Sequence, residues 1–540
     1  MSTSYTSYIK KVQRSNYLSP ILLYTIFSYL RWHEDFVSCV RVNRKWHAWF
    51  LRKNGDVIWR HQHMNISVDQ CSTPSQEQIN DEDSYLYRTR VTNLEYKTDV
   101  FHRPDNDAPC LPKPPYMWIK HIHSLQMTWA TQLNRSGDRF VEWKQLRVER
   151  TFWYILHRLL KVESLTFKEV DVDYILSHPT FKQILKNHFR TLKKLNIIQR
   201  RNNSPYVSFT DYDCSMFLDF ARDGYFLYLQ ELTLICIKHG TGLSSFNIRK
   251  AILYCRQLKL LNFSHWGFRS SYEDNLAELG SLSSLTSLTL AHNTFYLELE
   301  HEYIPENIWF GNQLEKLPLL VHLDVSGNTP CVNISFITCI SVHTPGLTSL
   351  SFGSHTFALD TIEWLACAFK KQLFPFLECL DLGEVNVEST SSEIEGGLTD
   401  LVSSFQYLTH LRILKWSVEC EDSCFGFVNS HIVLPRTLES IFLFSEYGPR
   451  SSCFSTKLQG ILNTLQRCQL PRLRHISLKE QTNLGTRQHL SKEDISSLAT
   501  FLRAFKPRLQ RLDLPLIEYK GFYSLRKYLE TTVNSVYFGS

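Results

Sequence analysis

Residues 285–293 read Leu-Thr-Ser-Leu-Thr-Leu-Ala-His-Asn, and residues 320–328 read Leu-Val-His-Leu-Asp-Val-Ser-Gly-Asn. In both, apolar residues hold the first, fourth and sixth places and an asparagine the ninth. Two apolar residues separated by one polar residue have period two, so both point to the same face of a short strand. The leucine three places earlier enters that core through the turn into the strand.

Outward from this pair the hexamer recurs along the chain. Upstream it is "VESLTF" (162–167), "LKKLNI" (192–197), "LQELTL" (229–234) and "LKLLNF" (258–263). Downstream it is "LTSLSF" (347–352), "LECLDL" (377–382), "LRILKW" (411–416), "LESIFL" (438–443), "LRHISL" (473–478) and "LQRLDL" (509–514). That makes twelve copies at intervals of 27 to 37 residues, with "IHSLQM" (122–127) as a less regular thirteenth. Between them lie amphipathic helical stretches, among them 361–374, 457–468 and 491–505. One strand and one helix cannot bury their apolar faces alone, but stacked neighbours make a continuous core.

The register resembles the leucine-rich repeat. The resemblance implies an α/β leucine-rich-repeat solenoid, a horseshoe of about twelve strand–helix repeats. The asparagine ladder that closes the turns is kept at Asn293 and Asn328 and missing from most other copies.

The N-terminus is of another kind. "LSPILLYTIFSYL" (18–30) is apolar almost all round as a helix, which demands burial on more than one side. Leu18, Leu22, Leu23, Ile26, Phe27 and Leu30 are followed by Asp35-Phe36, by Val42, Arg44 and Trp46, and by Ile58-Trp59-Arg60. In that order and without a gap, these residues resemble the F-box. The departures are Ser19 in place of the usual proline, Ile21 in place of the usual glutamate and Asn43 in place of the usual cysteine. The resemblance implies docking to the Skp-type adaptor of a cullin–RING ubiquitin ligase, through Leu18, Leu22, Leu23, Ile26, Phe27, Leu30 and Val42, with Trp46 and Trp59 inside the small bundle. F-box plus repeats implies a substrate receptor of such a ligase. Two other readings stay open: an interaction scaffold with no ligase coupling, and a cullin adaptor linked through elongin.

The expected organisation is a flexible N-terminus over 1–15, the F-box over 16–63, a loop-rich linker over 64–117, the repeat domain over 118–530 and a tail over 531–540. The proline-rich 104–115 and the Asn80–Asp83 run place loop in the linker.

Composition narrows the function. The net charge of +6 over 540 residues, with no long basic run, gives no footprint for nucleic acid. The fourteen cysteines contain no C-x-x-C pair, and no stretch of 18 apolar residues occurs. An intracellular chain, cytoplasmic or nuclear, with reduced cysteines and no membrane contact is expected. There is no Walker loop, no Gly-rich dinucleotide turn, no H-E-x-x-H and no G-x-S-x-G. His61–His63 and His121–His123 have H-x-H spacing without further ligands, so neither metal nor cofactor is expected, and any catalysis belongs to a partner ligase.

The candidate substrate surface lies in the last repeats. Lys415, Arg436, Arg472, Arg474, His475, Lys479, Lys506, Arg508 and Arg511 gather at strand starts and ends, with Phe442 and Phe444 as apolar anchors beside them. Charges of one sign steer an oppositely charged partner, so the expected substrate is an acidic or phosphorylated protein. The residue between the strand leucines should face away from the core: Thr166, Asn196, Thr233, Asn262, Thr289, Asp324, Ser351, Asp381, Lys415, Phe442, Ser477 and Asp513.

Overall fold

A computed structural model of the chain describes residues 63–68, 93–99, 124–130, 161–170, 179–199, 215–235, 246–270, 277–297, 314–328, 334–353, 355–357, 359–387, 392–417, 432–444, 454–478, 488–489, 492–505, 509–514, 517–518, 533 and 535–538. The chain divides into two compact units, Met1–Val170 with His178–Leu195, and Asp171–Ser177 with Asn196–Ser540.

In the first unit, strands β1 (His63–Val68), β2 (Asn93–Asp99), β3 (Ser124–Ala130) and β4 (Ser164–Val170) form one parallel ladder. Its register runs His63 to Asn93 to Ser124 to Ser164. Phe167 of β4 meets Phe181 of helix α1 (Pro179–His188) edge-on at 5.9 Å, so the strand and the helix after it share a core. β1 and β2 correct the expectation of loop over 64–117. "VTNLEY" (91–96) is itself an apolar-x-x-apolar-x-apolar hexamer, masked by the polar residues around it.

The chain passes from the first unit to the second within β5 (Lys194–Gln199). The second unit is built of strands and helices: α2 (Ser215–Arg222), β6 (Glu231–Ile235), α3 (Phe246–Ile252), β7 (Leu260–Ser264), β8 (Gly267–Ser270), β9 (Ser287–Thr289), β10 (Thr294–Leu297) and β11 (His322–Asp324). After these come α4 (Ile334–His343), β12 (Ser349–Ser351), β13 (His355–Phe357), α5 (Leu359–Lys370), β14 (Cys379–Val387), α6 (Ser392–Ser404), β15 (Ile413–Ser417) and β16 (Ser440–Phe444). The last are α7 (Phe454–Arg467), β17 (His475–Ser477), β18 (Gln488–His489), α8 (Lys492–Phe505), β19 (Arg511–Leu514), β20 (Ile517–Glu518) and β21 (Ser535–Phe538).

The main sheet is parallel and follows the repeats: β6, β7, β9, β11, β12, β14, β15, β16, β17, β19, β21. The fold is a leucine-rich-repeat solenoid. β21 corrects the expectation of a tail over 531–540: its segment, "VNSVYF" (533–538), is one more hexamer, and Val533 is buried.

From Leu229, Leu232 and Leu234 to Leu473, Ile476 and Leu478, the three apolar places of each hexamer are buried. A fourth buried place lies three residues before the first leucine, at Phe226, Cys255, Leu282, Leu317, Phe374, Leu408 and Leu470. It opens the turn into the strand, and a longer pattern, L-x-x-L-x-x-L-x-L, carries it in the sequence. Burial pushes the Cys255 thiol up to about 12, so that cysteine is an inert core residue. Aromatic rings join the helices to the sheet: Phe405, just past α6, meets Phe369 of α5 at 6.1 Å and Trp416 of β15 at 5.5 Å.

Where the asparagine is kept, it ties three repeats together. Asn293 accepts from the Trp266 N–H at 2.7 Å through Oδ1 and donates from Nδ2 to the Phe263 carbonyl at 2.8 Å. Its own backbone N–H donates to Asn328 Oδ1 at 2.8 Å. Trp266 stands at the asparagine place of its repeat and does the same work, its indole N–H donating to the Leu234 carbonyl at 2.8 Å. The residue before each rung is left-handed: His265, His292 and Gly327 have φ of 64°, 55° and 61°.

Candidate interaction surface on the repeat sheet

Because side chains alternate along a strand, each hexamer that buries its leucines sends the residues between them to the other face of the sheet. Register aligns these into two rows. One runs Thr233, Asn262, Thr289, Asp324, Ser351, Asp381, Lys415, Phe442, Ser477, Asp513. The other, two residues earlier on each strand, runs Glu231, Leu260, Ser287, His322, Ser349, Cys379, Ile413, Ser440, His475, Arg511. The first row matches the expected outward positions, so the strand register has not slipped. Most members are half-buried, and Ser351, Ser477 and Asp513 are almost completely buried.

The charges on this face are paired. Lys415 Nζ lies 3.0 Å from Asp381 Oδ2, while Asp381 Oδ1 accepts the Gly383 N–H at 3.1 Å. Burial opposes the Lys415 charge, but Asp381 outweighs it and holds the ammonium above the ordinary lysine range. Asp324 accepts the Ser326 N–H at 3.0 Å. His322 is held below the ordinary histidine range by burial and by Lys415, against the pull of Asp324. Burial raises the Cys379 thiol.

At the far end, Asp513 meets His475 Nε2 at 3.0 Å and Arg511 Nε at 3.0 Å. Burial works against its charge, yet these two partners keep the carboxyl below the usual aspartate range. The Phe442 ring stands edge-on to His475 at 4.7 Å.

Of the expected substrate residues, Lys415, Phe442, His475 and Arg511 thus come together on neighbouring strands. Within this group Asp381 pairs with Lys415, and Asp513 with His475 and Arg511, so the sheet face itself carries little surplus positive charge. Arg472 and Arg474 are exposed at the leading edge of β17 instead of on the sheet face. Lys479 and Arg508 lie outside the described residues, and so does the Phe444 side chain. Leu18, Leu22, Leu23, Ile26, Phe27, Leu30, Val42, Trp46 and Trp59 are outside them as well.

The leading edge carries its own charge seam, unforeseen from the sequence. Glu378, Arg412, Glu439 and Arg474 are successive rungs, each N–H bonding the preceding member's carbonyl at 2.8 Å. Arg412 reaches Glu439 by two bonds of 3.1 Å and Glu378 at 3.4 Å. Hydrogen bonding from Arg412 keeps the Glu439 carboxyl below its ordinary range, helped by the charges of Arg474 and Arg472. All four residues follow the first leucine of their hexamers, which is the signal that predicts the seam.

Among the described residues no helix is long and apolar enough to cross a membrane, and no cluster of three or more His, Cys, Asp or Glu is placed to hold a metal.

No family model matches the sequence, and no curated protein matches it. Among solved structures the chain is similar to an internalin C2 from Listeria monocytogenes, at 15% identity over 47% of this chain and 80% of that one, with a TM-score of 0.23. A superposition of that quality decides nothing about this chain; the repeat fold rests on its own strand register.

Proposed function

We propose that the chain is the substrate-recognition subunit of a Skp–cullin–F-box ubiquitin ligase. Residues 18–62 dock the Skp-type adaptor, and the repeat domain holds the protein to be ubiquitinated. The chain itself is not an enzyme; the transfer chemistry belongs to the ligase it recruits. The supporting observation for the receptor role is the pair of rows on the face opposite the buried leucines, where each repeat presents two side chains at a fixed register. Such surfaces suit extended protein ligands. Support for ligase coupling comes from the ungapped run of F-box residues. Anchors of this apolar kind dominate interface energies, and truncating a central one commonly costs ~2 kcal/mol or more of binding.

Co-purification of the full chain with the Skp-type adaptor and, separately, with elongin tests the reading. Binding of the Skp-type adaptor, abolished by Ile26→Ala with Leu30→Ala, is the expected result. An unchanged yield from the double variant refutes it, and capture of elongin alone makes the chain an elongin-linked adaptor. The second reading, an interaction scaffold without ligase coupling, is favoured by the repeat sheet alone and is the outcome if neither adaptor binds.

A further inference from the structure

From the 229–234 repeat to the 473–478 repeat, each main-sheet strand of the second unit is entered through one turn. The N–H of the first leucine bonds the carbonyl three residues back: Leu320 to Leu317 and Leu347 to Thr344 at 3.1 Å, Leu377 to Phe374 at 3.3 Å, Leu411 to Leu408 at 3.0 Å, Leu438 to Pro435 at 3.1 Å, Leu473 to Leu470 at 3.4 Å. Proline at the second turn place is common, and Pro318, Pro345, Pro375 and Pro471 take it here. The third place stands outside the core. Along consecutive strands it reads Leu319, Gly346, Phe376, His410, Thr437, Arg472, one residue per rung of about 4.8 Å.

The first half of this row is apolar. Leu319 and Phe376 are 55% and 54% exposed, high for large apolar side chains, and Val321 is exposed beside them. Gly346 stands between the two. A Cβ built there meets nothing within 4 Å, so the row has a notch with Leu319 and Phe376 as walls, about 10 Å apart. The Phe376 ring is backed by His410 at 6.2 Å.

The edge beside its second half, His410, Thr437 and Arg472, is basic. Arg436, Arg472 and Arg474 are exposed, and none makes an ion pair among the described residues. The acid nearest them in register, Glu439, is already held by Arg412. Setting Arg412, Arg436, Arg472 and Arg474 against Glu378 and Glu439 leaves four cations to two anions, a surplus of two. Single exposed apolar residues need no explanation. Two of them flanking a vacant glycine, on a row bordered by cations, are a different matter. A nucleic-acid backbone suits the row poorly, since half of it is apolar and Glu439 interrupts the rest.

We propose that this leading edge docks an extended acidic peptide segment, one apolar side chain filling the Gly346 notch and anionic side chains facing Arg436, Arg472 and Arg474. From Gly346 to the strands carrying Arg436 and Arg472 is three and four rungs, about 14 and 19 Å. At about 3.3 Å per residue, the anionic residues fall four to six places from the apolar one. Carboxylate and phosphate share the chemistry. The inference rests on the repeat domain being a protein receptor and is independent of which adaptor the chain uses.

The test is fluorescence anisotropy of the full chain with labelled decapeptides of Ser and Ala carrying Leu at position 2 and Glu at positions 6 and 8. Parallel peptides replace Glu by Gln, Glu by phosphoserine, or Leu by Ser, and oligothymidine of ten nucleotides is a further probe. The Glu or phosphoserine peptide is expected to bind at least tenfold more tightly than the Gln and Ser peptides, and more weakly as salt rises. Gly346→Leu fills the notch at a position with no positive φ and open space above it, and Arg436→Gln with Arg472→Gln and Arg474→Gln removes the surplus. Each should cost at least tenfold in affinity while the thermal melt and adaptor co-purification stay unchanged. Equal binding of the Glu and Gln peptides, variants within twofold of wild type, no binding of either acidic peptide, or tighter binding of oligothymidine each overturns the proposal. Adaptor capture lost with peptide binding intact defeats the ligase reading instead.

Discussion

Replacing Asn293 by alanine tests the ladder that locks the middle repeats. The side chain is buried, at 1% exposure, so no water replaces what it bonds. The variant leaves the Trp266 N–H and the Phe263 carbonyl without the partners now at 2.7 and 2.8 Å. Each orphaned buried group costs ~1–3 kcal/mol, so the loss is expected near ~3 kcal/mol, roughly 150-fold in the folding equilibrium. Asn328→Ala is the matched control. Asn328 supplies one bond, to the Asn293 N–H, and its Nδ2 is already buried without a partner. Its removal should therefore cost less, about 1–2 kcal/mol. Urea unfolding of both variants at unchanged m reads the difference as a shift in midpoint, and amide exchange at Trp266 reads the lost bond directly. A loss from Asn328→Ala equal to or greater than that from Asn293→Ala, or a Trp266 amide still protected in Asn293→Ala, refutes the ladder as the source of stability.

Gly327→Ala should destabilise by about 1–2 kcal/mol in thermal melts: its φ is +61° and the new Cβ would fall 2.3 Å from His292 Nδ1. Adding His292→Ala relieves the contact but not the backbone strain, so the double variant recovers part of the loss. His322 has a lowered pKa in the fold, so the unfolded chain binds its proton more readily; stability is full above the unfolded value near 6.5 and falls as pH drops through it toward the folded one. His322→Gln should flatten that part of the stability–pH curve, and an unchanged slope counts against the assignment. Asp513 has a lowered pKa, so its contribution is present above the unfolded aspartate value near 3.9 and is lost as pH falls through the folded one. Asp513→Asn should therefore destabilise at neutral pH, with the gap from wild type closing in acid; a gap constant with pH refutes the ion-pair origin.

How much of this is legible in the sequence differs from feature to feature. The hexamer pattern places Leu323 and Val325 inward and Asp324 outward, and the structure agrees, because alternation along a strand is a property of three adjacent residues. Segments 91–96 and 533–538 carry the same signal, hidden by polar flanks and spacing, and supply strands β2 and β21. Pairing of charges is harder to read. Lys415 and Arg511 look like free cations until Asp381 and Asp513 are brought beside them. The neighbour is set by which residues share a rung, and repeats of 27 to 37 residues conceal that unless the leucines are aligned first.

The sequence by itself determined a parallel repeat sheet, its inward face and the places of Asn293 and Asn328, since apolar burial and local alternation act within a single repeat. Tertiary structure alone decided that Trp266 stands in for an asparagine. Its indole N–H reaches the Leu234 carbonyl because stacking brings the backbone of the preceding repeat within hydrogen-bond distance. It likewise decided where the positive charge resides: acids from neighbouring strands cancel the cations on the sheet face, while the turn residues Arg436 and Arg472 and the strand-start Arg474 project past those acids into solvent. Charge balance is a sum over neighbours in space, and stacking chooses those neighbours.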